Sequence, residues 1–116
     1  MAVLEQECIE AIEILGHIYF LQGRQVEARI VFNGILALDA GNESALKHLA
    51  ALSLEEGDGA GALRRLEEYA SVARKQSGEP DPRLWLMRAR ALSAEGKSAA
   101  AGEDLAEYMR LSNAVK

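Results

Sequence analysis

The chain has 116 residues, enough for one small domain with a modest hydrophobic core. Its net charge of −5 argues against nucleic-acid binding, which depends largely on basic clusters that neutralise phosphates. A 49% apolar fraction with 5% aromatic residues favours close-packed helices over a sheet. The lack of a long apolar run predicts no membrane insertion, and the acidic start is unlike a secretory signal. Cys8 stands alone, so we expect no internal disulfide and a reducing, cytoplasmic location.

Helical periodicity predicts six helices in chain order. Their approximate ranges are 3–22, 24–38, 43–56, 60–75, 82–94 and 98–112. The first helix is expected to bury an apolar stripe formed by Leu4, Cys8, Ile12, Leu15 and Tyr19, widened by Ile9 and Ile18. Asn42 and Asp81 are predicted to cap the third and fifth helices, because each follows a turn and Pro82 fits a first helical turn.

Three glycines, Gly23, Gly57 and Gly96, recur 34 and then 39 residues apart. Five residues after each glycine comes an alanine, and apolar or aromatic residues follow four and seven positions later. The alanines are Ala28, Ala62 and Ala101. A glycine past a helical run supplies the positive φ that ends the helix, and a small residue lets two antiparallel helices approach closely. The spacing therefore predicts three helix–turn–helix units that bury their apolar faces on one another.

This pattern resembles the tetratricopeptide repeat (TPR), whose consensus is W-x-x-L-G-x-x-Y followed by Gly, Ala, Phe and Ala at fixed offsets. The first repeat matches at Leu15, Gly16, Tyr19, Gly23, Ala28 and Phe32, the second at Leu49, Gly57 and Ala62, and the third at Trp85, Ala89, Gly96 and Ala101. Because glycine recurs in this family at the place of Gly16, we interpret Gly16 as making room for a neighbouring helix.

The resemblance implies an all-α fold with six helices in three stacked helical hairpins, a TPR-like right-handed superhelix. It implies a single domain over residues 1–116, with repeats at about 9–42, 43–76 and 82–115. The loop at 76–82 accounts for the longer second spacing.

A second resemblance rests on the length, the repeat number and the third repeat. The segment 84–92, a glycine turn and a helix ending in Tyr108-Met109-Arg110-Leu111 are similar to the YscY-like TPR chaperones of bacterial type III secretion. This resemblance implies a bacterial cytoplasmic chaperone that holds a small secreted protein substrate, the YscX-like component, as a heterodimer, and that also contacts the export gate. Needle-subunit and translocator chaperones of the same apparatus remain alternatives. So do a TPR scaffold or adaptor in another assembly, and self-association as a homodimer.

In stacked hairpins the first helix of each pair lines the concave side, so the TPR register predicts a partner-binding groove. Its expected contact residues are Glu13, His17, Phe20, Lys47, Ala51, Leu54, Leu86 and Arg90. Phe20 is the strongest of these, whereas partial burial against adjoining helices explains Leu54 and Leu86 equally well. Acidic residues near the first repeat and Arg83 and Arg90 in the third could orient a bound peptide. The alternative is that these charges only keep the helices soluble.

The sixth helix is predicted to present a second partner-binding face. Repeat arrays normally finish with a polar capping helix, whereas Leu105, Tyr108 and Met109 lie near the end of this one. We expect a partner or a second copy to cover this face.

Catalytic chemistry is not predicted. His17, His48 and Cys8 are too few and too dispersed to suggest a metal site. Neighbouring acidic residues diverge around their helices, and the glycine-rich segment 57–61 lacks the lysine-serine pair of a phosphate loop. We therefore expect no enzyme activity and no cofactor.

Overall fold

The computed structural model describes residues 3–114, with side chains from 5 to 113, and all regular structure in that range is helical. The helices are α1 (Val3–Leu21), α2 (Gln25–Leu38), α3 (Glu43–Glu55), α4 (Gly59–Gln76), α5 (Arg83–Ala94) and α6 (Ser98–Ala114). The prediction of six helices in three stacked hairpins is confirmed. Within the described range, no helix combines the length and the apolar content needed to cross a bilayer. The predicted end of the third repeat, at residue 115, lies outside the described residues, as does the side chain of Leu4.

Each hairpin turns at the glycine that the repeat spacing singled out. Gly23, Gly57 and Gly96 have φ angles of 74°, 78° and 75°. In the first turn the Arg24 N–H donates to the Tyr19 carbonyl at 2.9 Å, and the equivalent bonds of the other two turns measure 2.8 and 2.9 Å. This six-to-one bond satisfies a carbonyl that the helix end would otherwise leave free. The three glycines therefore end the first helix of each pair with the same backbone geometry and the same hydrogen bond.

The hairpins stack with their first helices innermost. Within residues 3–114, the contacts between helices that are not consecutive join α1 to α3 and α3 to α5. The second helices α2, α4 and α6 do not meet one another in this range, so they spread apart on the outer side. The described part of the molecule is elongated, with extents of 45 × 29 × 23 Å. Side chains on the inner side of α1, α3 and α5 therefore face a common concave surface.

Small residues sit at the helix crossings. Ala28 and Ala62 are fully buried, whereas Ala101 is half-buried because α6 packs on α5 alone. A methyl group added to Gly16 would lie 2.8 Å from Phe32 Cζ and 3.0 Å from Val31 Cγ1. The interpretation that Gly16 makes room for a neighbouring helix is confirmed.

The buried stripe expected on α1 is wrong in part. Ile9 is buried and Tyr19 is half-buried, but Cys8, Leu15 and Ile18 are exposed. The reason is that α1 packs against α2 and α3 from one side, so the consensus position of Leu15 has no helix of this chain beside it within residues 3–114. The sequence pattern predicted the helix correctly, but the face of α1 that is buried is narrower than the predicted stripe.

Candidate functional site

A cleft of about 370 Å³ opens on the concave side, and we call it the central cleft. All three first helices contribute to it. Five of the eight predicted groove residues line it, namely His17, Phe20, Lys47, Ala51 and Leu86. The structure therefore brings together residues from three repeats that the TPR register assigned to one surface.

A larger cleft of about 600 Å³, the C-terminal cleft, lies between the α3–α4 turn and the last hairpin. Leu54, Leu86 and Arg90 line it, and so does Leu105 of α6. The sequence assigned Leu105 to a separate face, yet its side chain shares this cleft with predicted groove residues. Leu86 lines both clefts and stands at the boundary between them; we call the two adjoining clefts, from Phe20 to Leu105, the apolar track.

The other two residues predicted on α6 do not line either cleft. Tyr108 is half-buried, and Met109 is exposed. These two residues remain a predicted contact face, distinct from the track.

Glu13 supports the fold instead of lining a cleft. Its carboxylate accepts a hydrogen bond of 2.6 Å from the Asn42 amide, and the Asn42 side chain in turn accepts from the Ala45 N–H at 2.9 Å. The predicted cap of α3 is thereby confirmed, and Glu13 holds that cap in place. Glu10, Arg83 and Arg90 are all exposed, so each of these charges can meet a bound segment.

His48 forms the wall between the central cleft and the first core. Its ring stacks on Phe32 with centroids 4.4 Å apart and meets Phe20 edge-on at 5.2 Å. His48 Nδ1 donates to the Ser44 carbonyl at 2.7 Å, because a carbonyl can only accept. In the neutral ring Nε2 is then an acceptor, and it lies 3.2 Å from His17 Nδ1. Burial lowers the pKa of His48, which favours this neutral form.

One end of the central cleft is polar and carries a net positive charge. The Asp81 N–H donates to the Tyr69 hydroxyl at 2.7 Å, and Arg83 Nη2 lies 2.6 Å from the Asp81 carboxylate. Lys47 Nζ lies 3.8 Å from the same carboxylate and 5.5 Å from the Tyr69 ring centroid. Hydrogen bonds from Arg83 lower the pKa of Asp81, while burial raises the pKa of Tyr69. Two cations against one carboxylate leave this rim with a charge of +1.

The sequence reasoning missed His48 and Tyr69 as cleft residues. Nothing in the local pattern marks His48, since its ring is held by Phe32 from another helix. Tyr69, seven residues after Ala62, occupies one of the apolar or aromatic positions of the repeat spacing, and its ring is buried there. Its hydroxyl, however, reaches the cleft rim. Among the described side chains, no group of three or more histidine, cysteine, aspartate or glutamate residues is arranged to hold a metal ion.

Neither a family model nor a curated protein matches the sequence. Among solved structures, the chain is similar to the type III secretion translocator chaperone SycD of Yersinia enterocolitica, crystallised as an alternative dimer. The TM-score is 0.78 at 24% sequence identity, and the match covers 90% of this chain and 76% of that one. At this identity the likeness shows the fold, which is an all-helical TPR-like stack of hairpins.

Proposed function

We propose that the chain is a protein-binding chaperone that sequesters a small secreted component of a bacterial type III secretion system in the cytoplasm before export. The observation that carries the proposal is the apolar track, in which two clefts adjoin at Leu86. The fold likeness to SycD, a translocator chaperone of such a system, supports the functional class.

The track suits an amphipathic segment of an otherwise unfolded partner. Apolar side chains of the segment would occupy the two clefts, where Phe20, Leu86 and Leu105 supply apolar contacts that become buried on binding. The rim at Lys47 and Arg83 favours acidic residues in the flanking part of the segment. Holding the segment in this way keeps its apolar surface from aggregating until export.

Three partner classes compete within this function. The third-repeat resemblance favours a YscX-like component with a role at the export gate, whereas the fold likeness to SycD, a translocator chaperone, favours a translocator. A needle subunit is the third class. Separate co-expression with one member of each class distinguishes them, because the true partner should become soluble and form a one-to-one complex with this chain.

Titration calorimetry with a synthetic peptide of the partner's amphipathic segment tests the site. Leu86→Glu should weaken binding by about 100-fold or more, since it places a charge where both clefts bury apolar groups. Leu105→Glu should act in the same direction from a more exposed position, which guards against a folding defect in the first variant. Leu38→Glu is the matched control, because Leu38 is exposed on α2 and lines neither cleft.

Two results would contradict the proposal. Unchanged affinity in both cleft variants would remove the track as the binding site. A partner that is folded and soluble alone, and that gains nothing in solubility from this chain, would point to an adaptor.

A further inference from the structure

Tyr69 carries an unused hydrogen-bond donor on the wall of the central cleft. Its side chain is 2% exposed, yet it lines the cleft together with Lys47. The hydroxyl oxygen accepts from the Asp81 N–H at 2.7 Å, and within the described residues its own proton has no protein acceptor. Burial raises the pKa of Tyr69, so the hydroxyl keeps this proton. The donor is therefore available to whatever occupies the cleft.

Lys47 is the unmatched cation of the same rim. Arg83 holds the Asp81 carboxylate, because its Nε and Nη2 atoms donate to that group at 3.1 and 2.6 Å. Lys47 Nζ lies 3.8 Å from the same carboxylate, which is too long for a hydrogen bond. Glu43, one turn earlier on α3, does not line the cleft, and its carboxylate accepts from Ser77 at 2.6 Å. The ammonium group of Lys47 thus keeps its donors for a ligand.

We propose that Lys47 and Tyr69 together bind one side-chain carboxylate of the segment held in the apolar track, so that the cleft prefers a segment with an aspartate or glutamate beside its apolar residues. A carboxylate only accepts hydrogen bonds, so it suits an ammonium and a hydroxyl donor, and its charge matches that of Lys47. The inference rests on the proposed function and deepens it, since it names the polar group of the segment that the cleft recognises.

Apolar side chains of the central cleft sharpen this preference. Phe20 of α1 and Leu84 and Met87 of α5 line the same cleft as the two donors. A segment seated against them excludes water, and a charge-assisted hydrogen bond is stronger where water is excluded. A segment with an amide or an apolar side chain at this place would instead leave the charge of Lys47 buried without a partner. The site therefore rejects the wrong residue as well as favouring the right one.

Selection of random peptides displayed on phage against the purified 116-residue chain tests the inference. The enriched peptides should share apolar residues and one acidic residue at a fixed position relative to them. Titration calorimetry then compares a synthetic peptide of this consensus with a second one, in which the corresponding amide replaces the acid. Both peptides are amidated at the C-terminus, so that a terminal carboxylate cannot take the place of the side chain. The acidic peptide should bind about 10- to 100-fold more tightly.

Two variants assign this difference to the two donors. Lys47→Met should weaken binding of the acidic peptide by about tenfold or more and should abolish the distinction between the two peptides. Tyr69→Phe keeps the ring and should reduce the distinction only in part, because Lys47 remains. Lys97→Met is the matched control, since it removes the same charge from an exposed turn residue that lines neither cleft. It should bind both peptides as the wild type does.

Three results would overturn the inference while leaving the apolar track in place. They are an apolar consensus without an acidic position, an amide peptide that binds as tightly as the acidic one, and a Lys47→Met variant that still prefers the acid. A different result would remove the track and this inference with it. That result is a library that yields no binding peptide, or a consensus peptide that binds Leu86→Glu as tightly as the wild type.

Discussion

The close approach of α1 and α2 can be tested by adding one methyl group at Gly16. In Gly16→Ala the new carbon would lie 2.8 Å from Phe32 Cζ and 3.0 Å from Val31 Cγ1. Phe32 is fully buried, and its ring cannot withdraw freely because the His48 ring lies 4.4 Å behind it. The site therefore has little capacity to absorb the added volume.

Two opposing effects set the change in the free energy of unfolding of Gly16→Ala. Replacing glycine by alanine inside a helix stabilises it by about 1 kcal/mol. Overpacking a fixed core costs about 1–3 kcal/mol. We expect Gly16→Ala to lower the free energy of unfolding by about 1 kcal/mol after the two are combined. Gly34, in the interior of α2, has no atom within 4 Å of the position that a methyl group would take. Gly34→Ala should therefore raise the free energy of unfolding by about 1 kcal/mol.

Urea unfolding followed by far-ultraviolet circular dichroism, at one protein concentration, measures both variants against the wild type. The two free energies of unfolding should differ by about 2 kcal/mol, with Gly16→Ala the less stable. Equal stabilisation of the two variants would refute the argument, because it would mean that Phe32 and Val31 yield without cost.

Three further predictions concern polar groups that hold the first helices in place. Asn42→Ala should lower the free energy of unfolding by about 1 kcal/mol in the same assay, because the Ala45 N–H loses its cap. Asn42→Ser should retain most of the stability that the cap supplies. Tyr69→Phe should lower the free energy of unfolding by about 1 kcal/mol, because the Asp81 N–H loses its acceptor. An unchanged urea midpoint would show that water replaces the Tyr69 hydroxyl. Burial lowers the folded-state pKa of His48, so the unfolded chain binds more protons and stability should fall as pH drops below about 6.5. In His48→Gln that part of the pH dependence should vanish, and a slope unchanged from the wild type would assign it to other groups.

The local features of the fold were predictable because each depends on residues close in sequence. Gly23 ends α1 through bonds within one turn, and the cap at Asn42 reaches three residues ahead. The small size of Ala28 at a crossing follows from the hairpin itself, which needs a narrow residue five positions after its turn.

Features that depend on the relation between hairpins were not predictable to the same degree. Leu15 was wrongly assigned to the core because the consensus assumes a helix on both sides of each hairpin, and α1 has neighbours on one side within the described residues. The packing of the last hairpin brings Leu105 into a cleft with Leu54, and a repeat period does not encode that placement. The place of His48 depends on Phe32, which lies in another helix.

The sharing of Leu86 by two open clefts has a mechanical consequence for release. A segment held in one enclosed pocket must break all of its contacts together, whereas a segment lying along two successive clefts can be pulled free from one end. Each cleft then contributes a smaller barrier, although both together determine the affinity at rest. Under the proposed function, a force applied to one end of the bound segment would therefore release it stepwise, first from one cleft and then from the other.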